Sequence, residues 1–399
     1  MTHAARLGAR RDARPDVVVV GAGIVGAACA LALVRESLDV LILDASFAGG
    51  GSTAAAMGHL VVMDDSPAQL ALTAFSRGLW ERMADELPAG CEYEMRGTLW
   101  VAEAAEDLEA ARAKHAVYAA HGVAASIVDA AELARLEPAL RPGLAGALVV
   151  PGDGVLYPPN AARWCVDRAV ALGAGLRERC EAVAIGRGGV RVRGADGALE
   201  AISAGAIVIA AGVDAPGLVP DLPIIPRKGH LVITDRYPGL CHAQLVELGY
   251  LRSAHGLGGE SVAFNVQPRA TGQLLIGSSR ELVGRDGAVN HTVLGAMVRR
   301  AISFVPALAR CDAIRVWTGF RPATPDGLPL IGRWDAEPGV WIAAGHEGLG
   351  ITTAPGTAAL IAADIMGRAA PIDPAPYHPA RAMPRAAVAQ AEEPSCRAT

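Results

Sequence analysis

A glycine-rich turn between an apolar strand and a helix constrains this chain more than any other feature. Asp16 to Val20 is a nearly continuous β-branched run, the pattern of a parallel strand buried on both faces, and Gly23 to Arg35 carries helical Ala and Leu spacing. Between them stands Gly21-Ala-Gly-Ile-Val-Gly26. Gly21 permits a tight turn, Gly23 lets backbone approach a pyrophosphate, and Gly26 lets the helix pack close to the sheet. The first helical residues, including Ile24 and Val25, offer unpaired N–H groups to an anion. Val40 to Leu43 reads as the second strand, and Asp44 at its end is placed to bind a ribose diol, which disfavours a 2′-phosphate. The unit predicts a dinucleotide site in an α/β fold, and FAD or NAD would satisfy it. Gly49-Gly-Gly-Ser-Thr53 follows closely, with flexible backbone and the hydroxyls of Ser52 and Thr53 where a second phosphate contact is expected.

The rest of the chain narrows the function classes. Its 399 residues can bury a large core, as two compact domains or one composite. The 36 Lys and Arg against 41 Asp and Glu leave a net charge of −5, which excludes a broad footprint for nucleic acid. The longest plain apolar run, Ala204 to Val213, is about half of the roughly 20 residues that a spanning helix needs. Arg6, Arg10, Arg11 and Arg14 lead into the first strand without an apolar stretch and cleavage site, so a basic arm in the cytoplasm is expected. The cysteines are odd in number and lack CxxC spacing or a close histidine. Free thiols in a reducing compartment are expected, and no metal or iron–sulfur site.

Pro67 to Leu140 reads as mostly helical, broken by a strand within Glu94 to Val101. Tyr157-Pro-Pro marks a turn before a helix from about Asn160 to Leu172, and Ala206 to Ala211 is a further apolar strand closed by Gly212. Between Ile224 and Gly277 the character changes to short strands with turn residues, as of an antiparallel sheet grafted onto the α/β core. Expected boundaries are 15–85, 150–220 and 315–368 for a discontinuous nucleotide domain, and 86–149 with 221–314 for a second domain. The Pro- and Ala-rich stretch 369–399 is expected to be a wrapping or mobile tail.

Trp317-Thr-Gly-Phe-Arg-Pro-Ala-Thr-Pro-Asp-Gly-Leu-Pro-Leu-Ile-Gly332 and Ala343-Ala-Gly-His-Glu-Gly-Leu-Gly-Ile-Thr-Thr-Ala-Pro-Gly-Thr357 form the second signature. A helix beginning at Gly348 and running to about Met366 can aim its positive dipole end at an electron-rich acceptor. With the opening turn and the stretch Ser261 to Arg280, these segments resemble the D-amino acid oxidase superfamily over about residues 15–368. The resemblance is greatest to the branch of glycine oxidases, opine oxidase and hydrogen cyanide synthase flavin subunits, and D-hydroxyproline dehydrogenases. It implies a Rossmann-like FAD-binding domain of the glutathione-reductase type with an inserted antiparallel-sheet substrate domain.

The same resemblance implies cofactor contacts beyond the opening turn and Asp44. They are Ala45, Gly51, Ser52, Thr53, Met57 and Gly58, then Val183, Ala211, Gly212 and Gly319, then Gly348, Leu349, Gly350, Ile351 and Thr352 at the helix that faces the flavin. Arg321 stands where related enzymes grip the substrate carboxylate, a task that suits a planar guanidinium. Tyr250, His59, His346 and Glu347 are further candidates for the catalytic site. The implied reaction is hydride transfer from the carbon beside nitrogen to flavin N5, giving an imine. D-Hydroxyproline or D-proline is favoured by the Phe264 and Glu347 segments, with a dehydrogenase favoured over an oxidase. A peroxide-forming glycine or sarcosine oxidase is an alternative, as is the flavin subunit of a heteromeric complex, held at the inner membrane through its partners. The electron acceptor would be oxygen, a quinone or another carrier. Gly348 stands where glycine oxidases carry a second arginine, which turns attention to Arg252, Gln267 or Arg269. Ala55 stands where a histidine attaches flavin in dimethylglycine-type relatives, and no cysteine lies between Trp317 and Gly332, so non-covalent FAD is expected.

Overall fold

The computed structural model describes residues 14–186, 188–248 and 261–382. At its centre Val17–Val20 pairs in parallel with Val40–Leu43 on one side and Ala206–Ile209 on the other. Gly175–Arg177 and Val340–Ala344 extend the parallel sheet outward, and Leu330–Arg333 closes it as an antiparallel edge, six strands in all. Successive side chains of a strand face opposite ways, and here both faces are covered. Val17 and Val19 join the apolar cluster of the helices Ile24–Arg35, Pro158–Ala171 and Gly350–Ile365. Val18 and Val20 pack instead against a three-stranded meander, Glu181–Gly186, Gly189–Arg193 and Leu199–Ser203. The sequence reading leaves this meander unassigned, although Val190-Arg-Val-Arg193 alternates buried with exposed residues, the period-two signal of a half-buried strand.

A second sheet has eight strands, in the order Ala313–Ala323, Ile225–Arg236, Gln273–Arg280, Ser261–Pro268, Gln244–Glu247, Thr98–Ala102, Gly146–Val150 and Ser126–Asp129. Its neighbours are antiparallel except Gln244–Glu247 with Thr98–Ala102, which run parallel. The helix His291–Phe304 covers one face; Asn290 caps it by accepting the Thr292 and Val293 N–H groups. Phe264 stacks on Phe304 with ring centroids 4.3 Å apart, so it belongs to the core and does not face a ligand.

Two features differ from the sequence expectation. Ala313–Ala323 pairs along its length with Ile225–Arg236, setting Arg321 opposite Arg227 and Gly319 opposite Gly229, so residues 315–323 belong to the second sheet and not to the nucleotide sheet. The helical reading of Pro67 to Leu140 also hides an edge strand, Ser126–Asp129, too short and too exposed to show a periodic signal. Beyond residue 368 the chain wraps: Tyr377 is buried and donates its hydroxyl to the Ala68 carbonyl at 2.6 Å, and Arg381 pairs with Asp326 at 2.9 Å. Residues 383–399 of the expected tail lie outside the described residues. Among the described residues no helix is long and apolar enough to cross a membrane.

Candidate active site

A cavity of about 730 Å³ runs between the two sheets, from the opening glycine turn to Arg321. Gly21, Gly23, Ile24, Val25, Asp44 and Ala45 line its first end. Gly21 adopts φ +107°, and a Cβ there would stand 2.5 Å from the Ala210 carbonyl oxygen. Gly26 does not line the cavity; a Cβ on it would stand 1.9 Å from the Gly21 oxygen, so its absence lets helix and turn touch. Asp44 is held by the Ala22 N–H on Oδ2 and the Ser46 N–H on Oδ1, both at 2.7 Å, with lone pairs left over for a diol.

The hydroxyls expected to meet a phosphate have protein partners. Thr53 Oγ1 accepts the Ile24 N–H at 3.0 Å, and Ser52 Oγ donates to the Phe320 carbonyl at 2.6 Å. Ser52 therefore ties the nucleotide half to the second sheet. Gly51, Ser52, Thr53, Met57, Gly58, Val183, Ala211, Gly212 and Gly319 all line the same cavity. So do Gly348, Gly350 and Ile351, at the start of a helix that begins at Gly350. Leu349 turns its side chain into the apolar cluster around Val61 and Val62. Thr352 donates to the His59 carbonyl at 3.0 Å and accepts the Val61 N–H at 3.2 Å; neither Leu349 nor Thr352 lines the cavity.

Arg321 closes the far end. Its Nη1 donates to the Ser279 carbonyl at 3.0 Å, and the guanidinium fills the room left by the missing side chain of Gly229, where a Cβ would stand 2.5 Å from Nη1. Glu347 lines the cavity in a left-handed backbone conformation, φ +49°, with its N–H on the Pro322 carbonyl at 2.9 Å. Its carboxylate lies 3.2 Å from Arg227 and 3.8 Å from Arg280. His346 sets Nε2 2.9 Å from Thr357 Oγ1, and burial pushes its pKa down to about 3. His59 is lowered to about 4 by burial and by the Arg269 guanidinium, partly offset by the Gln244 side chain. Both rings are neutral at neutral pH.

The remaining candidates fall elsewhere. Arg269 binds Glu92 at 2.6 Å and Gln267 at 3.0 Å, and neither Arg269 nor Gln267 reaches the cavity, so they do not replace the arginine missing at Gly348. Tyr250 and Arg252 lie outside the described residues. Asp326, five residues beyond Arg321, pairs with Arg381.

Among the lining residues that escape the sequence reading are His230, Asn265 and Ser278. His230 Nε2 accepts the Asn290 backbone N–H at 3.0 Å, so its proton sits on Nδ1, which meets Ser279 Oγ at 2.9 Å. Burial lowers its pKa, which agrees with the neutral form. Asn265 did leave a trace in the sequence, as a polar residue inside the apolar run Ser261 to Val266.

These features fit FAD: a glycine-lined end that admits backbone to phosphate, an acid at the ribose position, and a helix start along the cavity wall. A glycine-lined dinucleotide groove that ends at an arginine on a separate sheet is the build of a flavin-dependent amino acid oxidoreductase. The chain belongs to the FAD dependent oxidoreductase family, the D-amino acid oxidase superfamily, whose model matches residues 16–364. It is 27% identical over 380 residues to a glycine oxidase of Pseudomonas putida, covering 91% of this chain and 98% of the relative. It is 28% identical to D-amino acid dehydrogenase 2 of Ralstonia nicotianae, covering 92% of this chain and 100% of the relative. The crystal structure of glycine oxidase from Geobacillus kaustophilus overlays with a TM-score of 0.82 at 27% identity, over 93% of this chain and 99% of that one. Among the described residues no group of three or more His, Cys, Asp or Glu is placed to hold a metal.

Proposed function

We propose that this chain dehydrogenates a small D-amino or cyclic imino acid, of the D-hydroxyproline or D-proline type, at the carbon bearing nitrogen. The observation that carries this reading is Arg321, a guanidinium at the closed end of a dinucleotide cavity, seated over Gly229. A carboxylate bound there by two parallel hydrogen bonds is fixed in orientation as well as place. The flavin, when bound, supplies the hydride acceptor.

The chain's own residues bind and orient. Gly21, Gly23 and the start of the Ile24–Arg35 helix would hold the pyrophosphate, and Asp44 the ribose diol. The helix start at Gly348 to Gly350 would set its positive end against the electron-rich edge of the flavin. Neutral His59 and His346 place no competing cation beside the substrate nitrogen, and no protein base is needed. Positioning then supplies most of the catalysis. Ala55 offers no nucleophile, and its Cβ stands only 2.3 Å from where a Cβ on Gly319 would be; this tight wall supports non-covalent FAD.

A second reading, a glycine-type oxidase that reduces oxygen to peroxide, is supported by the likeness to the glycine oxidases. Anaerobic mixing with D- and L-amino acids, prolines and N-methylglycines, followed by flavin absorbance, tests the first reading. Bleaching by D-prolines is expected, and bleaching by none of the panel rejects amine oxidation. Peroxide formed on aerobic turnover would favour the second reading; turnover with an artificial dye alone would favour the first.

A further inference from the structure

Two buried oxygens in the substrate end of the cavity have no hydrogen-bond partner among the described residues: Oδ1 of Asn265 and Oγ of Ser278. Asn265 is 8% exposed and Ser278 4%, so neither oxygen is satisfied by bulk water. A buried polar atom left unpaired is costly, and a native protein keeps one where a ligand or an ordered water completes it. The two sit on neighbouring strands, Asn265 in register with Gly277, the residue before Ser278. At Gly277 a Cβ would stand 3.0 Å from Met57 Sδ and 3.0 Å from Leu231 Cδ2, so these two side chains close over that position. Arg321 donates to the carbonyl of Ser279, the next residue along, so the subsite adjoins the guanidinium.

The chemistry of the pair is asymmetric. An amide oxygen only accepts, whereas a serine hydroxyl can donate. A group that completes both at once donates to Asn265 and accepts from Ser278, as a hydroxyl does. We propose that Asn265 and Ser278 form a subsite that reads a hydroxyl on the substrate's side chain or ring, and so select hydroxylated over plain cyclic imino acids. This rests on the reading of Arg321 as the carboxylate anchor. In the free enzyme a water would occupy the same place, and a substrate lacking the hydroxyl would leave that water trapped or both oxygens bare. A site built to bind a hydroxyl discriminates strongly against analogues that lack it.

The test compares kcat/KM for 4-hydroxy-D-proline epimers and D-proline with the purified, flavin-loaded enzyme, by anaerobic flavin reduction. One hydroxy epimer is expected to exceed D-proline by about 10- to 100-fold. In Asn265→Leu and Ser278→Ala that ratio is expected to fall toward one. Ser278→Ala removes a single oxygen and guards against loss of fold in the larger change. Equal rates for hydroxylated and plain substrates in the native enzyme would overturn the subsite. So would an unchanged ratio in both variants, or variants that lose flavin without shifting the ratio. Failure of every imino acid to reduce the flavin would strike at amine oxidation itself, a separate outcome.

Discussion

The two ends of the cavity treat their polar groups in opposite ways. At the nucleotide end Asp44, Thr53 and Ser52 are all hydrogen-bonded within the protein before any ligand arrives. At the Arg321 end Asn265 Oδ1 and Ser278 Oγ are buried without partners among the described residues. A scaffold satisfied in advance holds a constant ligand in one pose, while unsatisfied atoms wait for the particular molecule that completes them. The nucleotide end is thus shaped by backbone and glycine geometry, and the Arg321 end by a few side chains on the second sheet.

The sharpest way to break this contrast is at Gly26. Gly26→Val forces a Cβ to within 1.9 Å of the Gly21 oxygen, an overlap costing about 3 kcal/mol or more. The soluble protein is expected to be colourless, read as the ratio of 450 to 280 nm absorbance; a fully yellow variant would mean that the close approach is dispensable. Arg321→Ala should do the reverse, keeping the flavin and lowering kcat/KM for amino or imino acids by about 10²- to 10³-fold, the worth of a bidentate charged pair. A loss below about fivefold would remove Arg321 from the anchoring role.

Acid stability probes the buried histidines. Their folded pKa values lie below the unfolded one, so the unfolded chain binds more protons and stability falls as pH drops from about 6.5. For His346, held down to about 3, the loss between pH 6.5 and 5 is about 2 kcal/mol. Asp153, raised to about 6 by burial, works the other way and gains as pH falls through that value. His346→Gln should therefore flatten the fall of melting temperature over this range, and an identical slope would contradict the assignment. The smallest effect is expected from Arg285→Ala, which removes an exposed pair with Asp214 across the cavity mouth. Its cost should be about 0.5 kcal/mol or less, and a larger shift in unfolding midpoint would make that contact part of the frame.

The same contrast decides what could be read in the sequence. The opening strand, turn, helix and second strand were legible because local glycine and valine chemistry fixes them, and Arg321 because it sits in a long signature. Leu349 and Thr352, expected at the cofactor, do not line the cavity, because a helix start shows which residues are near an axis but not which way each turns. Asn265, Ser278 and His230 come together only through pairing of Ile225–Arg236, Ser261–Pro268 and Gln273–Arg280, a register that no short window contains. Residues 315–323, expected with the nucleotide domain, pair into the second sheet for the same reason: the strand's partner lies some ninety residues earlier.

The interleaving of the sheets bears on how the molecule forms. The nucleotide sheet draws its strands from Val17–Val20 through Val340–Ala344, and the eight-stranded sheet lies within that interval. During synthesis the first sheet cannot close until the last of its strands has left the ribosome, and by then the second sheet has all its parts. No contiguous fragment holds either half without strands of the other, so the halves cannot mature one after the other as separate modules. Long-range pairing of this kind slows folding and leaves unpaired edges exposed meanwhile. Swapping the substrate half between relatives would therefore require exchanging several separate segments together, whereas exchanging single side chains beneath Arg321 leaves the order of assembly intact.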